Sequence, residues 1–207
     1  MPIPSEKEAP LFVLYVHDLL WLADNIVSGC SSIFTETPSD KKYISVSPTI
    51  HAEIAGVLGD AAKVGRLVFP SEKRSSKEGR RAFAMKLARA EALQEMLAGL
   101  DLSQIRDTTA RNSIEHFDER LDAANAAGQR AAKGTMAAYN LILSHREIFA
   151  TPLLPIRVYI AAERRFVNLK WSADLGKLHS EATSVLARLR ALVPNIKEPG
   201  GLMIHLG

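Results

Sequence analysis

Apolar residues recur at helical spacing along much of the chain. Between residues 11 and 33 they return every three or four positions with polar residues between them, which predicts a first helix. A second helix is predicted from Pro48 towards Val68, because Ser47 can cap it and proline suits its first position. The positions predicted to face inward are Leu14, Val16, Leu19, Leu20, Leu22, Ala23, Ile26, Ile50, Ile54, Val57, Leu58, Ala61 and Val64.

Two further helices are predicted in the middle of the chain. The third is predicted to end at Gly99, a residue typical of helix C-termini. The fourth is predicted to begin near Asp101 and to continue through Leu121. The apolar positions that indicate these helices are Phe83, Met85, Leu87, Ala88, Ala90, Leu93 and Leu97 in the third, and Ile105, Ile114, Phe117 and Leu121 in the fourth.

The last third of the chain has mixed signals. Glycines and prolines interrupt residues 123–155, so we expect mixed helix and loop there. Alternation of period two in residues 156–160 and 166–171 predicts a two-stranded hairpin. A last helix is predicted from about Asp174 to Leu192, and the tail from Pro194 onward is expected to be extended or frayed. The positions predicted to be buried in this helix are Leu175, Leu178, Ala182, Val185, Leu186 and Leu189.

These elements predict an all-α fold. We expect a helical bundle of about five helices with a small β-hairpin before the last helix, and residues 1–207 as a single domain. The composition is consistent with this fold, since 47% of residues are apolar and only 6% are aromatic.

Composition and charge also narrow the possible functions. No apolar run reaches the roughly 18 residues needed to cross a bilayer, so we expect a cytoplasmic protein without a membrane partner. The lone Cys30 lies in an apolar segment and is expected to be a buried, inert thiol. A net charge of +3 is too small for a protein dedicated to coating nucleic acid, although it permits a local basic groove. No cofactor-binding motif is present, and no cofactor is expected.

A basic cluster precedes and begins the third helix. It consists of Lys73, Arg74, Lys77, Arg80 and Arg81. Two interpretations remain open: a solvated helix face, or a surface that binds phosphate.

Chemistry is concentrated in one short segment of the predicted fourth helix. Arg111 can hold a phosphate with two donors, Asn112 can hydrogen-bond a ligand, and His116 can transfer a proton near neutral pH. Asn112 and His116 stand one turn apart on a helix, while Arg111 is offset. One copy of the segment would therefore surround a substrate poorly, and a second copy across a twofold axis would complete a cleft.

The Arg111-Asn112-x-x-x-His116 pattern on a helix resembles the signature of the HEPN superfamily. The resemblance implies a helical bundle that dimerises through its motif helices. In catalytic members it implies metal-independent RNA cleavage between two protomers, with Arg111 and His116 catalytic and Asn112 assisting. The expected products carry a 2′,3′-cyclic phosphate and a 5′-hydroxyl. Members act as toxins, with an antitoxin protein as partner, or in phage defence.

Within this interpretation two functions are considered. The first is an HEPN-like endoribonuclease acting as a homodimer, with RNA rather than DNA as substrate. The alternative is a non-catalytic HEPN-like module that binds a nucleotide or a protein partner. The acidic residues around the histidine favour the alternative, because they would repel an RNA backbone; they are Glu115, Asp118, Glu119 and Asp122.

Those carboxylates have interpretations of their own. They could form a solvated face paired to Arg120, or a metal site. No second cluster completes a metal site elsewhere in the sequence, so no metal is expected. Arg111 and His116 could also be a hydrogen-bonded pair that only fixes the helix.

Overall fold

Helices form most of the computed structural model, which describes residues 11–128 and 134–193. The tail predicted from Pro194 lies outside the described residues. The helices are α1 (Phe12–Glu36), α2 (Pro48–Val68), α3 (Arg80–Met96), α4 (Ser103–Arg106), α5 (Thr109–Glu115), α6 (Phe117–Gly128) and α7 (Leu175–Leu192). The prediction of a mainly helical fold is confirmed.

The main core is built around α1, which packs against α2 and against α7. Every inward position predicted for α2 is buried, and so are those of α1 except Leu14. Ser47 caps α2 as predicted, because its hydroxyl accepts from Ile50 N at 3.3 Å. Gly29 permits the close packing of α1 on α2, since a Cβ there would lie 2.7 Å from Val57 Cγ2. None of the helices in the described part of the chain is both long enough and apolar enough to cross a bilayer.

Two of the helix predictions are wrong in detail. The predicted fourth helix is three helices, α4, α5 and α6, with breaks after Arg106 and at His116. Asp107 produces the first break, because its carboxylate accepts from Thr109 N at 2.9 Å and from Thr109 Oγ1 at 2.7 Å. In α3 the first half is solvent-exposed at Met85 and Leu87, and α3 packs inward mainly through Leu93 and its neighbours.

The predicted all-α class is wrong, because the predicted small hairpin is part of a larger sheet in a mostly helical chain. Its strands are β1 (Ile44–Ser45), β2 (Met136–Tyr139), β3 (Ile142–Leu143), β4 (Leu153–Ile156), β5 (Val158–Ile160), β6 (Arg165–Asn168) and β7 (Trp171–Asp174). The five-stranded sheet has the order β1-β3-β5-β6-β7, and β2 and β4 form a separate two-stranded sheet. The predicted hairpin corresponds to the antiparallel pair β5 and β6, in which Val158 faces Val167. Trp171 belongs to the next strand.

The segment predicted as helix and loop therefore contains strands. Residues 136–143 and 153–160 form one bent parallel pair, because the register is the same before and after the bend, with Met136 opposite Leu153 and Ile142 opposite Tyr159. Both segments bend at a residue in the left-handed region, Asn140 at φ +52° and Arg157 at φ +53°. The pair is thereby divided between the two sheets.

A buried carboxylate joins α7 to α4. Glu181 is 4% exposed, and its two oxygens accept from Gln104 N at 3.0 Å and from Ile105 N at 2.9 Å. These donors are free backbone groups at the first turn of a helix, so the carboxylate acts as a cap supplied from another element.

We predict that Glu181→Ala lowers the free energy of unfolding by about 2–4 kcal/mol, because it leaves buried backbone donors without an acceptor. Urea denaturation measures the change. The matched control is Glu91→Ala at an exposed position of α3, which should change stability by less than about 0.5 kcal/mol. Equal effects of the two substitutions would contradict the capping role.

Candidate functional site

The three predicted site residues lie where α5 ends and α6 begins. Arg111 and Asn112 are in α5, and His116 occupies the break between α5 and α6. The chain continues nearly helically through the break, since His116 N donates to Asn112 O and Arg120 N donates to His116 O, both at 3.1 Å. The residue that carries the imidazole is thus the C-cap of α5, with a backbone conformation (φ −103°, ψ 40°) outside the helical region.

Arg111 and Asn112 are in direct contact. The Arg111 Nη1 donates to Asn112 Oδ1 at 3.2 Å, and the Asn112 amide donates to Thr108 Oγ1 at 3.3 Å. The other side of the guanidinium forms an ion pair with Glu115, one turn further along α5. The Arg111 side chain retains 24% of its exposure, so the guanidinium is held in place at the surface.

His116 is more exposed than Arg111 and is not bonded to it. The imidazole side chain is 54% exposed, and its Nδ1 lies 3.7 Å from Glu119 Oε1. No side-chain hydrogen bond joins His116 to Arg111 or Asn112 within the described residues. Arg111 and His116 therefore do not form the hydrogen-bonded pair that the sequence analysis considered. Each side chain reaches solvent separately.

The acidic residues around His116 have a structural role in the helix. Asp118 and Glu119 lie in the first turn of α6, where negative side chains stabilise the helix by their attraction to the free backbone N–H groups. Glu115 is used by Arg111. Among the described residues, no three His, Cys, Asp or Glu side chains cluster as metal ligands would.

A buried amide fixes α5 on the sheet. Asn168 at the end of β6 is completely buried, and its Nδ2 donates to Ser113 Oγ at 3.0 Å and to Ser113 O at 3.1 Å. Its Oδ1 accepts from Arg157 N at 3.2 Å, at the bend before β5. One side chain thus joins the motif helix, β6 and the bend.

Cationic side chains lie close to the motif, and two of them, Arg157 and Lys170, are distant from it in the sequence. Phe117 directly follows His116 in the chain, and the Arg157 guanidinium lies 3.8 Å from the centre of the Phe117 ring. Arg120, one helical turn beyond His116, lies 4.9 Å from the Trp171 ring centre, and Lys170 lies 5.1 Å from the same ring. Arg120 was expected to pair with the acidic face, and it contacts an aromatic ring instead.

These residues define a cationic–aromatic surface formed by Arg120, Lys170 and Trp171. Among the described residues, neither Arg120 nor Lys170 forms an ion pair with a carboxylate, so both charges remain available. In the sequence Trp171 reads as a strand residue, and only the pairing of β6 with β7 brings it near α6.

The basic cluster that precedes and begins α3 is exposed to solvent. One of its members, Arg74, donates to the Glu78 carbonyl.

Cys30, the other residue singled out for its chemistry, is fully buried in α1. Burial raises the pKa of its thiol to about 12, so the reactive thiolate is disfavoured. The expectation that Cys30 is buried is confirmed.

We predict that Asn168→Asp lowers the free energy of unfolding by about 2–4 kcal/mol, because a buried carboxylate cannot donate to Ser113 and faces its carbonyl oxygen. Ser113→Ala removes only one acceptor and should cost about 1 kcal/mol. Urea denaturation gives both values, and hydrogen exchange should show the α5 amides opening first in Asn168→Asp. Unchanged α5 protection would contradict the anchoring role.

Comparison with known proteins identifies no relative of this chain. No family model matches the chain, and neither the curated proteins nor the solved structures that were searched gave a match.

Proposed function

We propose that this protein is an HEPN-like, metal-independent endoribonuclease that acts as a homodimer. The observation that carries the proposal is the placement of an exposed imidazole, His116, at a helix break one turn from the Arg111–Asn112 pair. An exposed imidazole can accept a proton from a substrate bound at the protein surface, and a nearby guanidinium can neutralise the negative charge of its phosphate.

The proposed reaction is an internal transesterification of RNA. His116 takes the proton of a ribose 2′-hydroxyl, the 2′-oxygen forms a bond to phosphorus, and the bond from phosphorus to the 5′-oxygen breaks. The leaving oxygen takes up a proton, which in a homodimer the second copy of His116 can supply. The products are a 2′,3′-cyclic phosphate and a 5′-hydroxyl, and no water is consumed.

Arg111 has to exchange one partner for another in this mechanism. Its guanidinium now pairs with Glu115, and a phosphate would replace that carboxylate while Asn112 keeps the guanidinium oriented. Exposed ion pairs of this kind are worth up to about 1 kcal/mol, so the exchange is affordable for an incoming phosphate with two acceptor oxygens.

The cationic–aromatic surface offers a place for the bases of a single strand. Aromatic rings stack on bases, and cations beside them attract the backbone, which together are typical of single-strand binding. Trp171 has Arg120 on one element and Lys170 on another, and Arg120 is one turn from His116. This surface offsets the acidic residues that argued against an RNA substrate.

A non-catalytic module that binds a nucleotide or a protein partner is the second candidate. The observation that favours it is that the Arg111 guanidinium is already engaged by Glu115 and Asn112 in the free protein. A rise in melting temperature on adding a nucleotide, with no RNA turnover, would support this module in place of the nuclease. A role as toxin or phage-defence effector, with an antitoxin partner, belongs to the ribonuclease proposal.

We predict that the protein cleaves single-stranded RNA in the presence of a chelator and that His116→Ala lowers the rate by about 10²–10⁴-fold. A fluorescent oligonucleotide measures the rate, and end analysis detects the cyclic phosphate. His145→Ala is the matched control, since His145 is also partly exposed and lies outside the motif. Wild-type activity in His116→Ala would remove this residue from the mechanism.

Glu115→Gln tests the exchange at Arg111. Removal of the competing carboxylate should lower KM by up to about fivefold and leave kcat nearly unchanged, because the ion pair is partly exposed and worth up to about 1 kcal/mol. An increase in KM would show that Glu115 assists the arginine and does not compete with substrate.

We predict that Trp171→Ala weakens binding of a 2′-O-methyl oligonucleotide by about 5–150-fold, which corresponds to about 1–3 kcal/mol for one stacked base. Fluorescence anisotropy measures the affinity with an RNA that cannot be cleaved. Trp21→Ala on α1 is the control, because Trp21 is 49% exposed and should not affect binding. Equal losses in both variants would contradict a specific role for Trp171.

A further inference from the structure

A small polar pocket lies at the end of the five-stranded sheet, separate from the motif. It encloses roughly 200 Å³ and is lined by Phe34, Thr37, Pro38, Ser39, Tyr159, Ala161 and Arg164. This volume is below the roughly 300–1,000 Å³ of sites for drug-sized ligands, so it suits an ion or a very small metabolite.

A buried hydroxyl in this pocket is poorly satisfied. Tyr159 in β5 is 0% exposed, and its Oη makes no hydrogen bond of normal geometry within the described residues, although an interaction with the Thr37 side chain acts to lower its pKa. The Thr37 hydroxyl donates to Ile33 O at 2.6 Å, so towards Tyr159 it can act only as an acceptor. An unpaired buried hydroxyl costs about 1–3 kcal/mol, and a ligand that accepts its proton would recover that cost.

The pocket also contains a guanidinium without a carboxylate. Arg164 follows the turn after β5, and its guanidinium lies 4.3 Å from the centre of the Phe34 ring. The nearest carboxylates in the chain are already engaged: Glu163 by both Arg146 and Arg165, and Asp174 by Arg165. Among the described residues, no carboxylate forms an ion pair with Arg164, so its charge remains uncompensated.

The pKa values of two neighbouring side chains reflect their surroundings at this pocket. Burial and the Arg164 charge together lower the pKa of His179, whose ring lies 5.8 Å from that of Phe34. Burial raises the pKa of Tyr159 to about 12, so its hydroxyl stays protonated and can donate. The Arg164 guanidinium and the Tyr159 hydroxyl can therefore both donate, which complements a ligand that accepts hydrogen bonds.

We propose that this pocket binds a small oxyanion of the phosphate class, held by the Arg164 guanidinium and the Tyr159 hydroxyl. Arginine supplies two donors to a tetrahedral anion, and the tyrosine supplies a third from the buried side. The Phe34 ring holds the guanidinium from the other side. The source of the anion is either free inorganic phosphate or the terminal phosphate of a very small ester.

The test is calorimetric titration of the full chain with inorganic phosphate, methyl phosphate and acetate at constant ionic strength. Phosphate should bind in the millimolar range or tighter, and acetate at least about tenfold more weakly. Comparable binding of methyl phosphate identifies an ester as a possible source, and its loss identifies the free ion. Acetate binding as tightly as phosphate, or no phosphate binding, overturns the proposal.

Two variants and one control assign the site. Tyr159→Phe and Arg164→Gln should each weaken phosphate binding by about 10–100-fold, since each removes a hydrogen bond to a charged group. Lys63→Gln removes an exposed cation on α2, outside the pocket lining and outside the cationic–aromatic surface, and should bind like the wild type. An equal loss in Lys63→Gln would show attraction by net charge alone, which contradicts a built site.

Tyr159→Phe is also informative without ligand. The ring stays in place and only the unpaired hydroxyl is removed, so in phosphate-free buffer the variant should melt at or above the wild-type temperature. A large drop in melting temperature would mean that the hydroxyl is already bonded in the free protein, and would overturn the proposal. Because no motif residue is changed, these results are independent of RNA cleavage.

Discussion

The Asn168 side chain is the interaction on which the position of the motif depends. A completely buried amide must have its donors and acceptor matched, and Asn168 of β6 finds its partners in two other parts of the fold: Ser113 on α5 and the Arg157 backbone at the bend. These hydrogen bonds hold α5 against the sheet. The exposed His116 follows Ser113 by three residues, so its position depends on this anchor.

The bend at Arg157 connects this anchor to the rest of the site. The backbone of Arg157 is held by Asn168, and the Arg157 carbonyl lies 2.8 Å from His51 Nε2 on α2. With its backbone fixed on both sides, the arginine side chain stacks on Phe117, at the beginning of α6. The helix break, the aromatic ring and the guanidinium are consequently one packed unit, although they come from distant parts of the chain.

The sequence predicts local features well and distant ones poorly, for identifiable reasons. The apolar stripes of α2 and α7 are correct because a helix buries residues at a period that can be read directly from the sequence, and all the buried positions expected for α7 are buried. The bent parallel pair is missed because Asn140 and Arg157 interrupt the alternation and its strands pair across distant residues. The helix break at His116 is missed because no glycine or proline lies there to indicate it in the sequence.

The same distinction applies to the sites. Arg111, Asn112 and His116 are close in sequence, so residue types and spacing suffice to select them. Trp171 and Arg157 join that surface only through tertiary packing. Tyr159 lies in an apolar strand and reads as core, so its unpaired hydroxyl beside Arg164 has no signal in the sequence.

The proposed function requires the His116 imidazole and the Arg111 guanidinium to face one RNA strand. The most direct test is nuclear magnetic resonance of the full chain titrated with a 2′-O-methyl oligonucleotide that cannot be cleaved. We expect the resonances of the His116 ring, the Arg111 guanidinium and the Trp171 indole to shift together and to saturate with one affinity. Shifts confined to other surfaces, with these three unchanged at saturation, would contradict it.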